Sequence, residues 1–164
     1  MRKYAAPIIS LLVAAGIQGN LPAGMSLMGA RPDLVLVVLI AYSLAADPLA
    51  GAALGFAAGL VHGSAVGLSV GSFVVTRTLT GFLAGLATTR LFTDNPVVPV
   101  FSTAWLTAVC EGLFLVANPR VPLGHAGRVV LGECVYNAGL ALLLYCFLRM
   151  LETRRKIRLA NARI

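Results

Sequence analysis

Acidic residues are scarce in this chain, with 6 Asp and Glu against 13 Lys and Arg in 164 residues. Charged residues of all kinds make up 12% of the sequence, whereas a soluble domain carries roughly 25%. Hydrophobic residues make up 59%, which excludes a disordered chain. The three cysteines all lie in apolar segments, so a disulfide scaffold is excluded as well. This composition is that of an integral membrane protein.

Sequence motifs of catalysis are also missing. The chain has no HExxH or GxSxG motif and no glycine-rich phosphate loop followed by lysine. The cysteines, Cys110, Cys134 and Cys146, are too scattered for a metal motif and are better explained as small apolar side chains. We therefore expect a protein that is not an enzyme and that has no cofactor and no metal site.

Six apolar runs divide the sequence, and a membrane-spanning helix needs about 20 apolar residues. The runs are Tyr4–Met25, Asp33–Ala46, Leu49–Val66, Gly71–Phe92, Val97–Ala117 and Val129–Leu148. Turn signals such as Asp47-Pro48 and Asp94-Asn95-Pro96 separate them. The second run is short, so we expect it to borrow Leu27–Ala30 or to lie tilted where the bilayer is thinner. The predicted fold is all-α: a bundle of six transmembrane helices over residues 1–150, followed by a basic cytoplasmic tail over 151–164.

The positions of lysine and arginine predict the orientation, because cytoplasmic loops are enriched in them. With six spans and a cytoplasmic N-terminus, nine basic residues fall inside and three outside. Inside are Arg2, Lys3, Arg90, Arg149, Arg154, Arg155, Lys156, Arg158 and Arg163, and outside are Arg31, Arg120 and Arg128. Both termini are thus predicted to be cytoplasmic, where the basic face favours anionic lipid or a cytoplasmic partner over nucleic acid. A signal peptide is the alternative for the first run, but five further spans favour an uncleaved helix.

Glycine recurs at every fourth position from Gly51 to Gly71, without interruption. Small residues at this spacing let two helix backbones approach closely in a membrane. Two alternatives follow: the stripe packs the bundle against itself, or it forms a groove that accepts a membrane helix of a partner. The candidates for partner-helix packing are Gly51, Gly55, Phe56, Gly59 and Gly63.

Ionisable residues inside the apolar runs are candidates for function, because charge is costly in a bilayer. Arg77 and Glu111 have opposite charges and similar depth, so we expect them to pair. Glu133 lies near the start of the last run, one turn before Asn137. A transporter is the alternative, with Arg77, Glu111 and Asn137 lining a ligand pocket. A proton-coupled carrier that uses Glu111 or Glu133 is a third hypothesis.

Several short motifs, taken in order, resemble a known family. They are Arg-Pro-Asp-Leu-Val-Leu-Val-Val at 31–38, Gly-Phe-Ala-Ala-Gly-Leu at 55–60, Gly-Ser-x-x-Gly at 63–67, Thr-Leu-Thr-Gly-Phe-Leu at 78–83, and Asn137 in the last run. Over about residues 25–150 the chain resembles the rod-shape-determining protein family MreD. The family-motif positions are Pro32, Asp33, His62 and Asn137. His62 stands where the family usually has an acidic residue, which leaves open what this position does here.

The resemblance implies a non-enzymatic scaffold of the bacterial cell-elongation machinery, located in the inner (cytoplasmic) membrane. It implies binding to the single-span protein MreC and, directly or through MreC, to a class-B penicillin-binding transpeptidase, to RodA and to the MreB filament. Such a scaffold helps to organise peptidoglycan synthesis during lateral wall growth. The implied fold is similar to that of the S components of energy-coupling-factor transporters. The alternative function is therefore a substrate-binding subunit of a vitamin or small-molecule transporter.

Overall fold

The computed structural model describes residues 2–26, 29–67, 69–87, 97–119 and 123–161. Within these ranges the chain is helical and has no strand. The helices are α1 (Arg2–Gly19), α2 (Leu34–Ser43), α3 (Pro48–Val66), α4 (Val70–Ala87), α5 (Val97–Ala117) and α6 (Leu123–Asn161), with one 3-10 turn at Ala23–Met25. The predicted turn at Asp94-Asn95-Pro96 lies outside the described residues.

Four of the helices are long and apolar enough to cross a membrane. They are α3, α4, α5 and the part of α6 from Ala126 to Phe147. These four helices make the chain a multi-pass membrane protein. The apolar parts of α1 and α2, Ala5–Gly19 and Leu34–Ser43, are shorter. The count of six spans and the orientation of the termini therefore remain predictions.

Helix α2 lies at the centre of the bundle, in contact with each of the other five helices. Its ten residues give a length of about 15 Å, half the thickness of the hydrocarbon core. Both of its faces are buried, including Val35, Leu36, Leu39 and Ile40. The other helices therefore surround α2, which begins at Leu34 and does not include Gly29 or Ala30; the rest of the predicted extension, residues 27 and 28, lies outside the described residues.

The glycine stripe packs α3 against α4. A Cβ atom added at Gly51, Gly55, Gly59 or Gly63 would come within 3.0 Å of α4 backbone atoms. Gly81 and Gly85 of α4 approach α3 in the same way. Of the two alternatives, internal packing is therefore the one that the structure shows for these four glycines. Phe56 lies outside this contact and is 50% exposed.

The last two glycines of the repeat have other roles. Gly67 ends α3 in the left-handed conformation, with φ of 73°, and its N–H donates to the carbonyl of Gly63 at 2.9 Å. At Gly71, no atom of another helix in the described part of the chain lies within 4 Å of the place where a Cβ would stand. The close contact between α3 and α4 therefore ends where α3 turns towards α4.

Helix α6 is the longest element. Its 39 residues correspond to about 58 Å, almost twice the thickness of the hydrocarbon core. It passes without interruption through the predicted boundary between residues 150 and 151. The first part of the predicted basic tail, to Asn161, is thus a direct continuation of the last membrane helix.

Candidate functional site

The N-terminus of α2 places one carboxylate in the interior of the bundle. Asp33 is 7% exposed and caps α2, since its Oδ1 accepts a hydrogen bond from the N–H of Leu36 at 2.9 Å. Its other oxygen, Oδ2, forms an ion pair with the guanidinium of Arg77. Its backbone N–H donates to Oδ1 of Asn137 at 3.0 Å. One residue therefore joins α2 to α4 and to α6.

Arg77 is the largest fully buried side chain of the described residues, with 1% exposure. Its Nη2 reaches both Asp33 and Nδ1 of His62, the latter at 2.9 Å. The guanidinium lies 4.8 Å from the centre of the Phe73 ring, within the range of a cation–π contact. A lone guanidinium at this depth would be strongly unfavourable, and the Asp33 carboxylate offsets much of that cost.

His62 extends the network to the first helix. Its ring stacks on Phe73 with 4.7 Å between centroids, and its Nδ1 lies 3.6 Å from Oδ1 of Asp33. Its Nε2 lies 3.3 Å from Nε2 of Gln18 on α1. The Oε1 of Gln18 in turn accepts from the N–H of Val35 at 3.2 Å. Helices α1 and α3 are thus tied to the start of α2.

Asn137 completes the network on the other side of α2. Its side chain is fully buried, and besides accepting from Asp33 it donates from Nδ2 to Oγ1 of Thr107 at 3.3 Å. Thr107 belongs to α5, so all six helices contribute to one connected set of polar groups. Such a network fixes the register of the helices, because its partners lie within hydrogen-bond distance only when the helices are aligned in this way.

The structure brings together most of the residues that the sequence singled out. His62, Arg77 and Asn137 meet around Asp33, and the buried Pro32 directly precedes Asp33. The prediction that Arg77 pairs with Glu111 is wrong, because Asp33 takes the guanidinium.

The two membrane glutamates are not members of the ion pair between Asp33 and Arg77. Glu111 and Glu133 are half-buried and have no salt bridge within the described part of the chain.

Gln18 and Thr107 are network residues that the sequence interpretation missed. Gln18 interrupts an otherwise apolar run, and this was the one signal that could have indicated it.

Asn137 offers a direct measure of what the network contributes to stability. We expect Asn137→Leu to lower the free energy of unfolding by about 1–3 kcal/mol, because the N–H of Asp33 loses its acceptor in a buried place. Reversible unfolding in mixed micelles measures this. Asn20→Leu, at the exposed end of α1, is the control and should change stability little. Equal losses in the two variants would contradict a special role for Asn137.

Comparison with known proteins gives one finding. A family model described as rod shape-determining protein MreD matches residues 3–154. Comparison with curated proteins and with solved structures gives no match. The matched region contains every residue of the polar network and both helices of the glycine contact.

Proposed function

Because the chain belongs to the MreD family of rod shape-determining proteins, we propose that it is a non-enzymatic scaffold of the bacterial cell-elongation machinery. Family membership gives a role in rod-shape determination and a multi-pass location in the membrane. The observation that supports the scaffold role most is that nearly all described residues lie in helices of one connected bundle. Such a bundle offers helix faces to other membrane proteins and little else.

The proposed partners are those that the resemblance implies. MreC, a single-span membrane protein, would bind the bundle within the bilayer of the cytoplasmic membrane. The class-B penicillin-binding transpeptidase and RodA would be held directly or through MreC, and the MreB filament would lie on the cytoplasmic side. In this arrangement the protein helps to organise peptidoglycan synthesis in the lateral wall.

We place the partner helix on the exposed side of α3, next to the glycine contact. Phe56 and Leu60 are 50% and 41% exposed on this side, while the glycine face is closed by α4. A helix pair that is held backbone to backbone is rigid, so a large aromatic side chain on its outer surface is presented in a fixed position. A partner helix can then bury that ring without reordering the bundle.

Co-purification in mild detergent from the native membrane tests the scaffold and its surface. We expect the wild-type chain to recover a single-span coiled-coil protein together with a penicillin-binding transpeptidase. Phe56→Ala should reduce that recovery at least fivefold, because alanine truncation of a central anchor costs about 1–2 kcal/mol or more. Leu143→Ala, at a residue of α6 that is 67% exposed, is the matched control and should leave the recovery unchanged.

Two outcomes would contradict this proposal in different ways. Equal recovery with Phe56→Ala and Leu143→Ala would move the partner surface away from α3 while leaving the scaffold role intact. Recovery of paired ATPases with a second polytopic subunit would instead identify a transporter subunit.

A further inference from the structure

A small cavity opens beside the polar network, at the C-terminal ends of α1 and α3. It has a volume of about 190 Å³ and is closed on one side by the segment that leads into α2. Three polar side chains line it, those of Gln18, Arg31 and His62, and the other lining side chains are apolar. It has room for several water molecules or for one small polyatomic ion.

The neighbours of His62 decide where its ring proton lies. Nδ1 faces Nη2 of Arg77 at 2.9 Å, and a guanidinium can only donate hydrogen bonds. Nδ1 must therefore accept, which places the proton of the neutral ring on Nε2. A doubly protonated ring would carry a proton on Nε2 as well. In both states a buried N–H, on a residue that is 8% exposed, points away from Arg77.

The group that faces this N–H is also a donor. The Oε1 of Gln18 accepts from the N–H of Val35, so the amide NH₂ of Gln18 is the end that lies 3.3 Å from Nε2 of His62. Turning the amide round would set its NH₂ against the N–H of Val35. Moving the ring proton to Nδ1 would set it against Arg77. In each of these three arrangements two donors of the network face each other.

The rim of the cavity adds a third donor. Arg31 is exposed and carries a guanidinium, whose planar N–H groups suit the oxygens of a phosphate. The polar side chains of the lining are thus one cation, the ring N–H of His62, which faces another donor, and the amide NH₂ of Gln18. An oxyanion can accept hydrogen bonds from all three.

We propose that this cavity binds a phosphate-type oxyanion, whose oxygens accept from Nε2 of His62, from the amide of Gln18 and from Arg31. The phosphate of a lipid headgroup and a free phosphate present the same chemistry to these donors. The site is independent of the proposed scaffold role, since it uses neither Phe56 nor the glycine contact.

Thermal unfolding of the purified full-length chain in a phosphate-free maltoside micelle tests the site. One arm titrates inorganic phosphate, and a second titrates a short-chain phosphatidylglycerol with the matching diacylglycerol as its phosphate-free control. A ligand that binds only the folded state raises Tm as its concentration passes Kd. A rise with inorganic phosphate identifies a free anion, and a rise with phosphatidylglycerol alone identifies a headgroup. No rise in either arm overturns the proposal.

Variants separate this site from general attraction of anions to a basic protein. Gln18→Glu puts a carboxylate between His62 and Val35, so the missing acceptor is supplied internally and the added charge repels phosphate. We expect this variant to fold and to lose the response. Arg31→Gln should weaken binding about tenfold, whereas Arg128→Gln, at an exposed arginine outside the cavity, should leave Kd unchanged. Equal weakening by Arg31→Gln and Arg128→Gln, or an undiminished response in Gln18→Glu, would overturn the proposal.

Discussion

One methyl group at Gly55 is expected to separate α3 from α4. In Gly55→Ala the new Cβ would come within 3.0 Å of the carbonyl carbon of Arg77 and the Cα of Thr78. Both are backbone atoms, so neither can move aside as the end of a side chain does. The helices themselves must part along a contact that also includes Gly51 and Gly59. Helices in lipid associate through close van der Waals contact, which falls off steeply as the helices separate.

The expected loss exceeds that of ordinary overpacking, which costs about 1–3 kcal/mol. The carbonyl that is displaced belongs to Arg77, so the ion pair with Asp33 is strained by the same change. We expect little monodisperse Gly55→Ala protein in detergent, with the free energy of unfolding lowered by more than 3 kcal/mol in what remains. Size-exclusion chromatography of the solubilised protein, followed by unfolding in mixed micelles, measures both.

Gly112→Ala provides the matched control, because it is the same substitution in the apolar helix α5. A Cβ at Gly112 would have no atom of another helix within 4 Å in the described part of the chain. Alanine is a better helix former than glycine by about 0.5–1 kcal/mol, so this variant should be slightly more stable than the wild type. The same glycine-to-alanine change is therefore expected to lower the free energy of unfolding at Gly55 and to raise it slightly at Gly112. A stable and monodisperse Gly55→Ala protein would show that α3 and α4 are not held together through this stripe.

Removal of the buried charge partner is expected to have the second large effect. In Arg77→Met the carboxylate of Asp33 loses its ion pair in a place that is 7% exposed. Breaking a buried pair by removing one partner typically costs about 3–5 kcal/mol, because the remaining charge is uncompensated. Asp33→Asn should also destabilise the bundle, since it leaves the guanidinium of Arg77 without its anion.

The double variant Asp33→Asn with Arg77→Met distinguishes the pair from the sum of its parts. It buries no uncompensated charge, and asparagine can still cap α2, so we expect its loss to be smaller than the sum of the two single losses. The comparison uses the free energy of unfolding of all four proteins in one detergent. Additive losses would mean that the two side chains contribute independently, which contradicts their role as an ion pair.

The role of Gly55 also decides which residue is suited to a test of partner binding. A loss of partner in a glycine variant would report a disordered bundle, because the stripe holds α3 to α4. Phe56 lies one position along the same helix but outside this contact. Adjacent residues therefore test two different properties, the integrity of the bundle at Gly55 and the proposed partner surface at Phe56.

Composition and periodicity were sufficient for the helical class, because long apolar runs admit few other structures. The spacing of the glycines also correctly predicted close helix packing. It did not identify the helix on the other side, since small residues look the same whether the neighbour is internal or a partner. Gly81 and Gly85 were the complementary signal, because a second helix with the same spacing can form the matching face.

The prediction of Glu111 as the partner of Arg77 was wrong because it compared the positions of the two residues along their apolar runs. Counting turns from the end of a run gives a residue's depth only where that run begins at the membrane surface. Helix α2 begins inside the bundle, so Asp33 reaches Arg77 although it stands at the start of the second apolar run. Gln18 interrupts the first apolar run, but the run does not show which helices lie opposite it, so its contacts with His62 and Val35 could not be predicted.

The position of Asp33 has a consequence for biosynthesis. The chain is made from the N-terminus, and Arg77 follows Asp33 by 44 residues, while Asn137 follows it by 104. Until α4 has entered the membrane, the carboxylate at the start of α2 has no counter-charge, and a bare carboxylate is held near the aqueous interface. Until α6 has entered, the N–H of Asp33 has no acceptor. The second helix to leave the ribosome is therefore among the last to reach its final place. In a chain that stops before α6, the N–H of Asp33 at the centre of the bundle lacks the acceptor that Asn137 provides.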